Sequence, residues 1–193
     1  MAQRRQVEIA PPLVTTPDLD GRPMIGEELI RLAGVSASSE QDYATRGYHG
    51  EHEAAPEAMP EVAALFRDAG YHLENLTCLD QRAVEEMGHF SIVYQFGRYD
   101  ELDRQVVRAK LTDDRPATSI ANVFPGADWY EREVFDMHGV GVEGHPDLKR
   151  ILMPLDYVGH PLRKDFVDQD TLRYQLSGVV LEEEVEEEAA GDE

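Results

Sequence analysis

The strongest constraint on the fold is the order of the patterned segments between residues 56 and 112. A stretch with apolar residues at helical spacing runs from Pro60 to Gly70, which suit the first turn and the end of a helix. Three runs rich in strand-forming residues follow, at 71–79, 89–96 and 99–112. A helix followed by a strand meander predicts an α+β fold, a single domain whose mostly antiparallel sheet is flanked by helices.

The chain divides into four segments by composition. Residues 1–56 are polar and weakly patterned, so they predict an irregular N-terminal arm in which only 27–33 favour a short helix. Residues 57–140 are predicted to form the core domain, and 141–176 an extended, partner-docking segment. Residues 177–193 are expected to be a disordered acidic tail, because 182–193 hold eight acids and no base.

Charge and hydropathy exclude several classes of protein. The net charge is −21, and such a surface repels nucleic acid, so we expect no nucleic-acid partner. No apolar run approaches the ~18 residues that a membrane span requires. The two arginines near the N-terminus precede no apolar stretch, so no secretory signal is expected. We therefore expect a soluble, cytoplasmic protein that meets a membrane only through its partners.

Cysteine usage limits the redox chemistry that the chain can perform alone. Cys78 is the only cysteine, whereas an iron–sulfur cluster requires about four thiolate ligands. Because Cys78 lies within an apolar, strand-like run, we expect a buried structural thiol and not a catalytic one.

A second helix is predicted from Trp129 to His138. Asp128 is the expected N-cap, and Gly139 is expected to end the helix. The inward face of this helix is predicted to comprise three residues: Tyr130, Val134 and Met137.

The charges of this helix suggest bracing and not catalysis. Asp128, Arg132 and Asp136 recur at intervals of four, so we expect Arg132 to pair with Asp136 along one side. Glu131 and Glu133 are two residues apart and point away from each other, which excludes a shared acid–base site. We expect these two glutamates to be surface or interface charges.

Two patterns near this helix resemble catalytic motifs. Residues 139–144 read GVGVEG, a GxGxxG pattern, but they follow a helix end and lead into His-Pro, whereas a dinucleotide site requires a preceding strand and a following helix. We interpret these glycines as turn residues. His138, His145 and His160 lack the spacing of helical metal ligands, and a metalloenzyme that uses them is retained as an alternative of a different class.

Basic residues concentrate further on, in an otherwise acidic chain. Lys149, Arg150, Arg163 and Lys164 fall within sixteen residues. They either balance neighbouring aspartates or form a docking face for an acidic partner. In the second interpretation the apolar anchors between the charges are four residues: Leu155, Tyr157, Val158 and Leu162.

Three motif-rich stretches carry a family resemblance: 127–139 (ADWYEREVFDMHG), 144–153 (GHPDLKRILM) and 156–166 (DYVGHPLRKDF). Together they closely resemble the C subunit of NADH-quinone oxidoreductase, the 30 kDa subunit family of complex I, which has relatives in membrane-bound hydrogenases. Residues 60–111 match the layout of that family more loosely, and 1–56 match it poorly. His138 and Val142 depart from the residues usual in the family.

The resemblance implies a non-catalytic subunit in the peripheral arm of a complex I-type NADH:quinone oxidoreductase. Such a complex moves electrons from NADH through FMN and iron–sulfur clusters to quinone and couples this to proton translocation. The cofactors would lie on other subunits. The chain would bind none and would pack against the quinone-site (D-type) subunit and neighbouring cluster-carrying subunits, on the cytoplasmic side of the membrane. The alternatives are the equivalent subunit of a [NiFe] hydrogenase or ferredoxin-linked complex, and a free-standing acidic adaptor.

Residue roles follow from combining the motifs with the resemblance. No catalytic, cofactor-binding or metal-binding residue is expected. The structural brace is predicted to comprise Glu131, Arg132, Glu133 and Asp136. The partner-docking residues are predicted to be His145, Lys149, Arg150, Tyr157, His160, Leu162, Arg163, Lys164 and Phe166.

Overall fold

The computed structural model describes residues 25–32, 34–83, 88–111 and 115–167. The predictions for residues 1–24, for 168–176 and for the acidic tail at 177–193 lie outside this part. The helices are α1 (Ile25–Ile30), α2 (Tyr43–Arg46), α3 (Met59–Asp68), which a 3-10 turn at Pro56–Ala58 precedes, and α4 (Ala127–His138). The strands are β1 (Val35–Glu40), β2 (Gly50–Ala54), β3 (His72–Asp80), β4 (Phe90–Gly97), β5 (Arg104–Leu111), β6 (Ala117–Thr118) and β7 (Val142–Glu143).

The centre of the fold is a five-stranded sheet with the order β1-β2-β5-β4-β3. β3, β4 and β5 form the predicted antiparallel meander, and β1 pairs antiparallel with β2. Only the pairing of β2 with β5 is parallel within this sheet. The α+β class and the mostly antiparallel sheet are therefore confirmed.

The core lies between this sheet and the helices that pack on it. Phe66 of α3 is fully buried and stacks on Phe96 of β4, with ring centroids 4.2 Å apart. Cys78 of β3 is 4% exposed, and burial, together with the nearby Asp80 charge, raises the pKa of its thiol to about 12. The prediction that Cys78 is buried is confirmed. Within the described residues, no helix has the length and apolar character needed to cross a bilayer.

The expectation of an irregular arm was wrong for residues 35–54, which supply two strands of the sheet. Their sequences, VSASSE and GEHEA, are too polar to give a strand signal of their own. The buried polar residue His52 is satisfied by neighbours instead: Ser38 Oγ lies 2.8 Å from its Nδ1, and Gln105 Oε1 lies 3.0 Å from its Nε2. Because His52 acquires one partner from β1 and the other from the distant strand β5, these strands depend on tertiary context.

The helix α4 is flanked by two glycines, one at its N-cap and one at its C-cap. Gly126 occupies the N-cap position without a side-chain cap, so the prediction of Asp128 as N-cap was wrong by two residues. Gly139 ends the helix with φ of +70°, a conformation that glycine adopts without strain. Val134 and Met137 are buried as expected, and the Tyr130 hydroxyl donates to the Glu74 carbonyl of β3 at 3.2 Å. The helix is thereby fixed against the sheet edge.

Candidate partner-docking site

The basic, apolar segment after α4 lies along that helix from its first turn to its last. We call residues 145–167 the docking strip. His145 Nε2 lies 2.9 Å from Asp128 Oδ1, and Arg132 Nε donates to the Lys149 carbonyl at 3.2 Å. Further on, Asp136 contacts 151–153. The strip therefore advances in the same direction as α4, which supplies a rigid support for a segment with little regular structure of its own.

Asp136 is the main anchor of the strip. Its Oδ2 atom accepts three backbone N–H bonds, from Ile151 at 2.9 Å, Leu152 at 2.7 Å and Met153 at 2.9 Å. Its Oδ1 atom accepts from Arg150 Nη1 at 2.8 Å. Burial alone favours the neutral acid, but these four donors hold the pKa of Asp136 below its usual value. The carboxylate is therefore charged and fully occupied.

The predicted pairing of Arg132 with Asp136 was wrong. The rule for residues four apart describes side chains on a helix surface, whereas the Asp136 side chain has no exposed surface. A buried carboxylate requires several donors at once, and the backbone of 151–153 supplies them. Arg132 instead lies half-buried over the indole of Trp129, 4.9 Å from the ring centroid.

The strip also caps the C-terminal end of α4. The last turn of a helix leaves carbonyl groups without partners inside the helix. Here the Asp136 carbonyl accepts from His160 Nδ1 at 2.9 Å, that of Met137 from the Leu162 N–H at 3.0 Å, and that of His138 from Arg163 Nε at 2.6 Å. The helix end and the strip thus stabilise each other.

A second anchor, Asp80, holds the far end of the strip. Asp80 Oδ2 accepts from the Lys164 N–H at 2.8 Å, and Arg82 bridges Asp80 and Asp165 with two contacts of 2.7 Å. The hydrogen bond from Arg82 is the main reason that the pKa of Asp80 lies well below its usual value. Sequence reasoning missed this site, because Asp80 and Lys164 are eighty-four residues apart.

Glu131 lies inside the protein, so its assignment as a surface or interface charge was wrong. It is 3% exposed and accepts from Ser119 Oγ at 2.6 Å and from the Ile120 N–H at 2.7 Å. Burial raises its pKa, against the opposing effect of these two bonds. Glu133 is exposed. Of the predicted brace, Glu131 and Asp136 therefore fix α4 to other segments, and Arg132 and Glu133 lie on its outer side.

The outer face of the strip carries several large apolar side chains. Leu155 is 82% exposed and Val158 is 85% exposed, and three further apolar side chains are more than half exposed: Leu152, Leu162 and Val167. Such a concentration on an irregular segment is typical of an interaction surface. Beneath it the rings of Tyr157 and Phe166 lie 6.3 Å apart.

The predicted docking residues thus divide into two groups. Lys149, Leu162 and Lys164 are exposed, and they can meet a partner directly. The side chains of six others are at most half exposed and shape the strip from within: His145, Arg150, Tyr157, His160, Arg163 and Phe166. Contact of either group with a partner stays a prediction.

The three histidines point to different partners. His145 lies at Asp128, His160 at the Asp136 carbonyl, and His138 packs edge-on against the ring of Phe90, where burial lowers its pKa. Within the described ranges, no three histidine, cysteine or acidic side chains are grouped so that they could hold a metal ion. The glycines of the GxGxxG pattern flank turns and the short strand β7, as interpreted from the sequence.

Most of the described chain, including α4 and the docking strip, matches one protein family. The sequence profile described as the respiratory-chain NADH dehydrogenase, 30 Kd subunit, matches residues 52–171. The chain belongs to this family. The matched region includes the end of β2, the meander, α4 and the docking strip.

Individual relatives agree with this membership. The C subunit of the NADH-quinone oxidoreductase of Rhodobacter capsulatus is 43% identical over 115 residues, which are 58% of this chain and 57% of that protein. The C/D subunit of the NADH-quinone oxidoreductase of Acidiphilium cryptum is 40% identical over 120 residues, 59% of this chain and 20% of that protein. The chain spans about half the length of the first curated relatives it matches.

A solved structure shares the fold. A chain of the membrane-bound sulfane sulfur reductase, an archaeal respiratory membrane complex, superposes with a TM-score of 0.58 over 86% of this chain and 95% of that chain. The two sequences are only 17% identical, so the likeness concerns the fold alone.

Proposed function

We propose that this chain is a non-catalytic subunit of the peripheral arm of a complex I-type NADH:quinone oxidoreductase, in which it scaffolds the quinone-site subunit. The observation that carries the proposal is the set of exposed apolar side chains on the docking strip, which buried carboxylates anchor along α4. The complete assembly transfers electrons from NADH through FMN and iron–sulfur clusters to quinone and translocates protons.

The D-type subunit is the proposed partner of the strip. The Acidiphilium cryptum relative bears the letters of the C and D subunits together, and this chain matches only 20% of its length. A polypeptide that joins the two subunits supports their being neighbours, because fusion raises the local concentration of each for the other. The cluster-carrying subunits nearby are proposed as further neighbours.

The chemistry of the chain favours a scaffolding role without cofactors. Its lone thiol is buried, with a pKa raised to about 12, which opposes formation of the thiolate that ligates metals. Its buried carboxylates are occupied by donors within the chain. FMN and the clusters are therefore assigned to other subunits. The chain itself would meet the cytoplasmic side of the membrane only through the complex.

The equivalent role in a hydrogenase or ferredoxin-linked complex is the second candidate. The structural likeness at 17% identity does not distinguish these complexes. The relatives at about 40% identity are named as quinone oxidoreductase subunits, which favours the first candidate. A D-type partner that copurifies with an NADH-oxidising flavoprotein supports it, whereas copurification with a nickel–iron subunit supports the second.

The test uses the two most exposed side chains of the strip. Leu155→Asp with Val158→Asp should lower recovery of the D-type subunit by at least about tenfold when the complex is purified through a tag on this chain, because buried apolar anchors dominate interface energies. Neither side chain contributes to the core.

A matched variant controls for the added charge. Leu102→Asp places an acid at a position that is 52% exposed and lies in the β4–β5 loop, so recovery should be unchanged. Full recovery of the D-type subunit with the double variant would disprove docking through the strip. Charge reversal at Arg163 would be a poorer test, because its side chain also caps α4.

A further inference from the structure

The outer side of the first two turns of α4 carries an aromatic–cation pair that the strip does not cover. Trp129, the only tryptophan of the chain, is 62% exposed. The Arg132 guanidinium lies over its indole, 4.9 Å from the ring centroid, and Arg132 Nε donates to the Lys149 carbonyl at 3.2 Å. These two contacts fix the orientation of the guanidinium, so little of its freedom remains to be lost on binding.

The charge around this pair is unusual for so acidic a chain. Among the described residues, no carboxylate lies within 4.0 Å of the Arg132 guanidinium, whereas the neighbouring bases are paired: Lys149 with Asp147 at 2.7 Å and Arg150 with Asp136 at 2.8 Å. The Asp128 carboxylate at the same helix start faces His145. The Arg132 guanidinium therefore forms no ion pair of its own in this part of the chain, although the net charge is −21. The pKa of the nearby Asp147 is lowered mainly by its hydrogen bond to Lys149, and the Arg132 charge adds to that effect from a greater distance.

The position of the pair connects it to the strip. Trp129 and Arg132 are three residues apart, so they lie on one side of α4, and Arg132 contacts the beginning of the strip at Lys149. Tryptophan and arginine are also the residue types that most often dominate binding energy at protein interfaces. An exposed, rigid pair of this kind beside an apolar strip has the composition of an interface anchor.

We propose that Trp129 and Arg132 form a second contact patch of the docking surface, and that it receives a segment of the D-type subunit in which a carboxylate stands beside an apolar side chain. The indole covers the apolar side chain, and the planar guanidinium binds the carboxylate with two N–H groups. The proposal rests on the proposed function, because the occupant is the same neighbour that the strip contacts.

The first test measures affinity in reconstitution of the complete chain with the purified D-type subunit of its complex. Trp129→Ala and Arg132→Gln should each weaken binding at least about tenfold. Arg132→Lys should also weaken it, because lysine keeps the charge but not the planar pair of donors. Binding by the wild type should weaken as salt is raised, and the Arg132→Gln variant should lose much of that dependence.

Two variants serve as controls. Tyr99→Ala removes an aromatic side chain that is 88% exposed and stacked on His72, and Arg67→Gln removes an arginine whose guanidinium is paired with Asp68. Both should bind as the wild type does. Equal losses in the controls, or unchanged affinity in the Trp129 and Arg132 variants, would overturn the proposal.

The second test does not depend on the folding of any variant. Hydroxyl-radical footprinting of the wild-type chain, free and in the purified complex, should show oxidation of Trp129 falling several-fold on assembly. An unchanged oxidation rate would refute the patch. If the Leu155 and Val158 double variant abolishes recovery of the D-type subunit but Trp129 stays accessible in the wild-type complex, this inference fails and the proposed function stands. If recovery of the D-type subunit survives that variant, docking through the strip fails, whatever the accessibility of Trp129.

Discussion

At the scale of residues, the docking strip is held in place by charged carboxylates that are buried away from water. Asp136 exchanges its hydration shell for three backbone N–H groups and one guanidinium, all from the segment that follows α4. A buried charge is tolerated only when several donors surround it. One side chain therefore fixes the path of residues 150–153, and with them the start of the apolar face.

Replacing Asp136 should show how much this anchor contributes. Asp136→Asn keeps the shape but removes the charge and places an amide N–H₂ opposite other donors, so we expect about 3 kcal/mol less stability at neutral pH. The folded-state pKa of Asp136 is lowered, so its contribution is present above about pH 4 and is lost as the pH falls through the folded-state pKa. The difference between variant and wild type should accordingly shrink on acidification.

Urea denaturation between neutral pH and about pH 3 measures this difference. Asp68→Asn is the control, because Asp68 is exposed and its side chain is bonded, among the described residues, only to its neighbour Arg67; its effect should stay within about 0.5 kcal/mol. A loss for Asp136→Asn no larger than that of the control would show that the strip is held by other contacts.

The burial of some of these residues could be predicted from the sequence, whereas the contacts of others could not. One buried face of α4 comprises residues at intervals of four and three: Ala127, Glu131, Val134 and His138. This helical spacing alone would have predicted that Glu131 lies inside. Glu131 was nevertheless assigned to the surface, because unpaired carboxylates are rarely buried. The contacts of Asp80 and Arg163 join segments far apart in sequence, which local patterns do not relate.

At the scale of elements, the junction of α4 with the docking strip determines where the strip lies. Gly139 adopts φ of +70°, and a Cβ atom there would lie 2.5 Å from ring atoms of His160. Gly47, which ends α2, adopts a similar φ of +78°, and a Cβ atom there would meet nothing within 4 Å. An alanine would be strained by the left-handed backbone at both positions, but only at Gly139 would its Cβ also meet the strip.

Alanine substitutions at these glycines should therefore separate the two effects. Gly47→Ala should cost about 1 kcal/mol from the left-handed backbone alone. Gly139→Ala should cost about 3 kcal/mol, because it also displaces His160 and disturbs the cap of α4. Equilibrium unfolding of both variants measures the loss in free energy of unfolding. Equal losses would contradict a close contact between the strip and the end of α4.

The elements differed in how far the sequence could predict them. α3, the meander and α4 were predictable because their apolar residues recur with the periods of a helix or a strand. β1 and β2 were not, since their side chains are mostly polar and they acquire partners only across the sheet, as His52 does from Ser38 and Gln105. For the same reason, the predicted irregular arm was too long, because it included these two strands.

At the scale of the whole molecule, the described part of the chain is a rigid sheet and helix that present an irregular strip. The strip is immobilised from beneath by Asp136 and Asp80, and its outer apolar side chains are left in solvent. This arrangement suits a chain that contributes position and not chemistry to an assembly. The family membership and the C/D relative give the assembly and the neighbour that we propose.

The most direct test of the central claim is purification of the assembly in mild detergent through a tag on this chain. The proteins that accompany it are then identified and NADH:quinone reductase activity is measured. A scaffolding role predicts a stoichiometric D-type subunit, cluster-carrying subunits and an activity that this chain lacks by itself. Elution of the chain alone at the mass of a monomer, with the activity in other fractions, would contradict it.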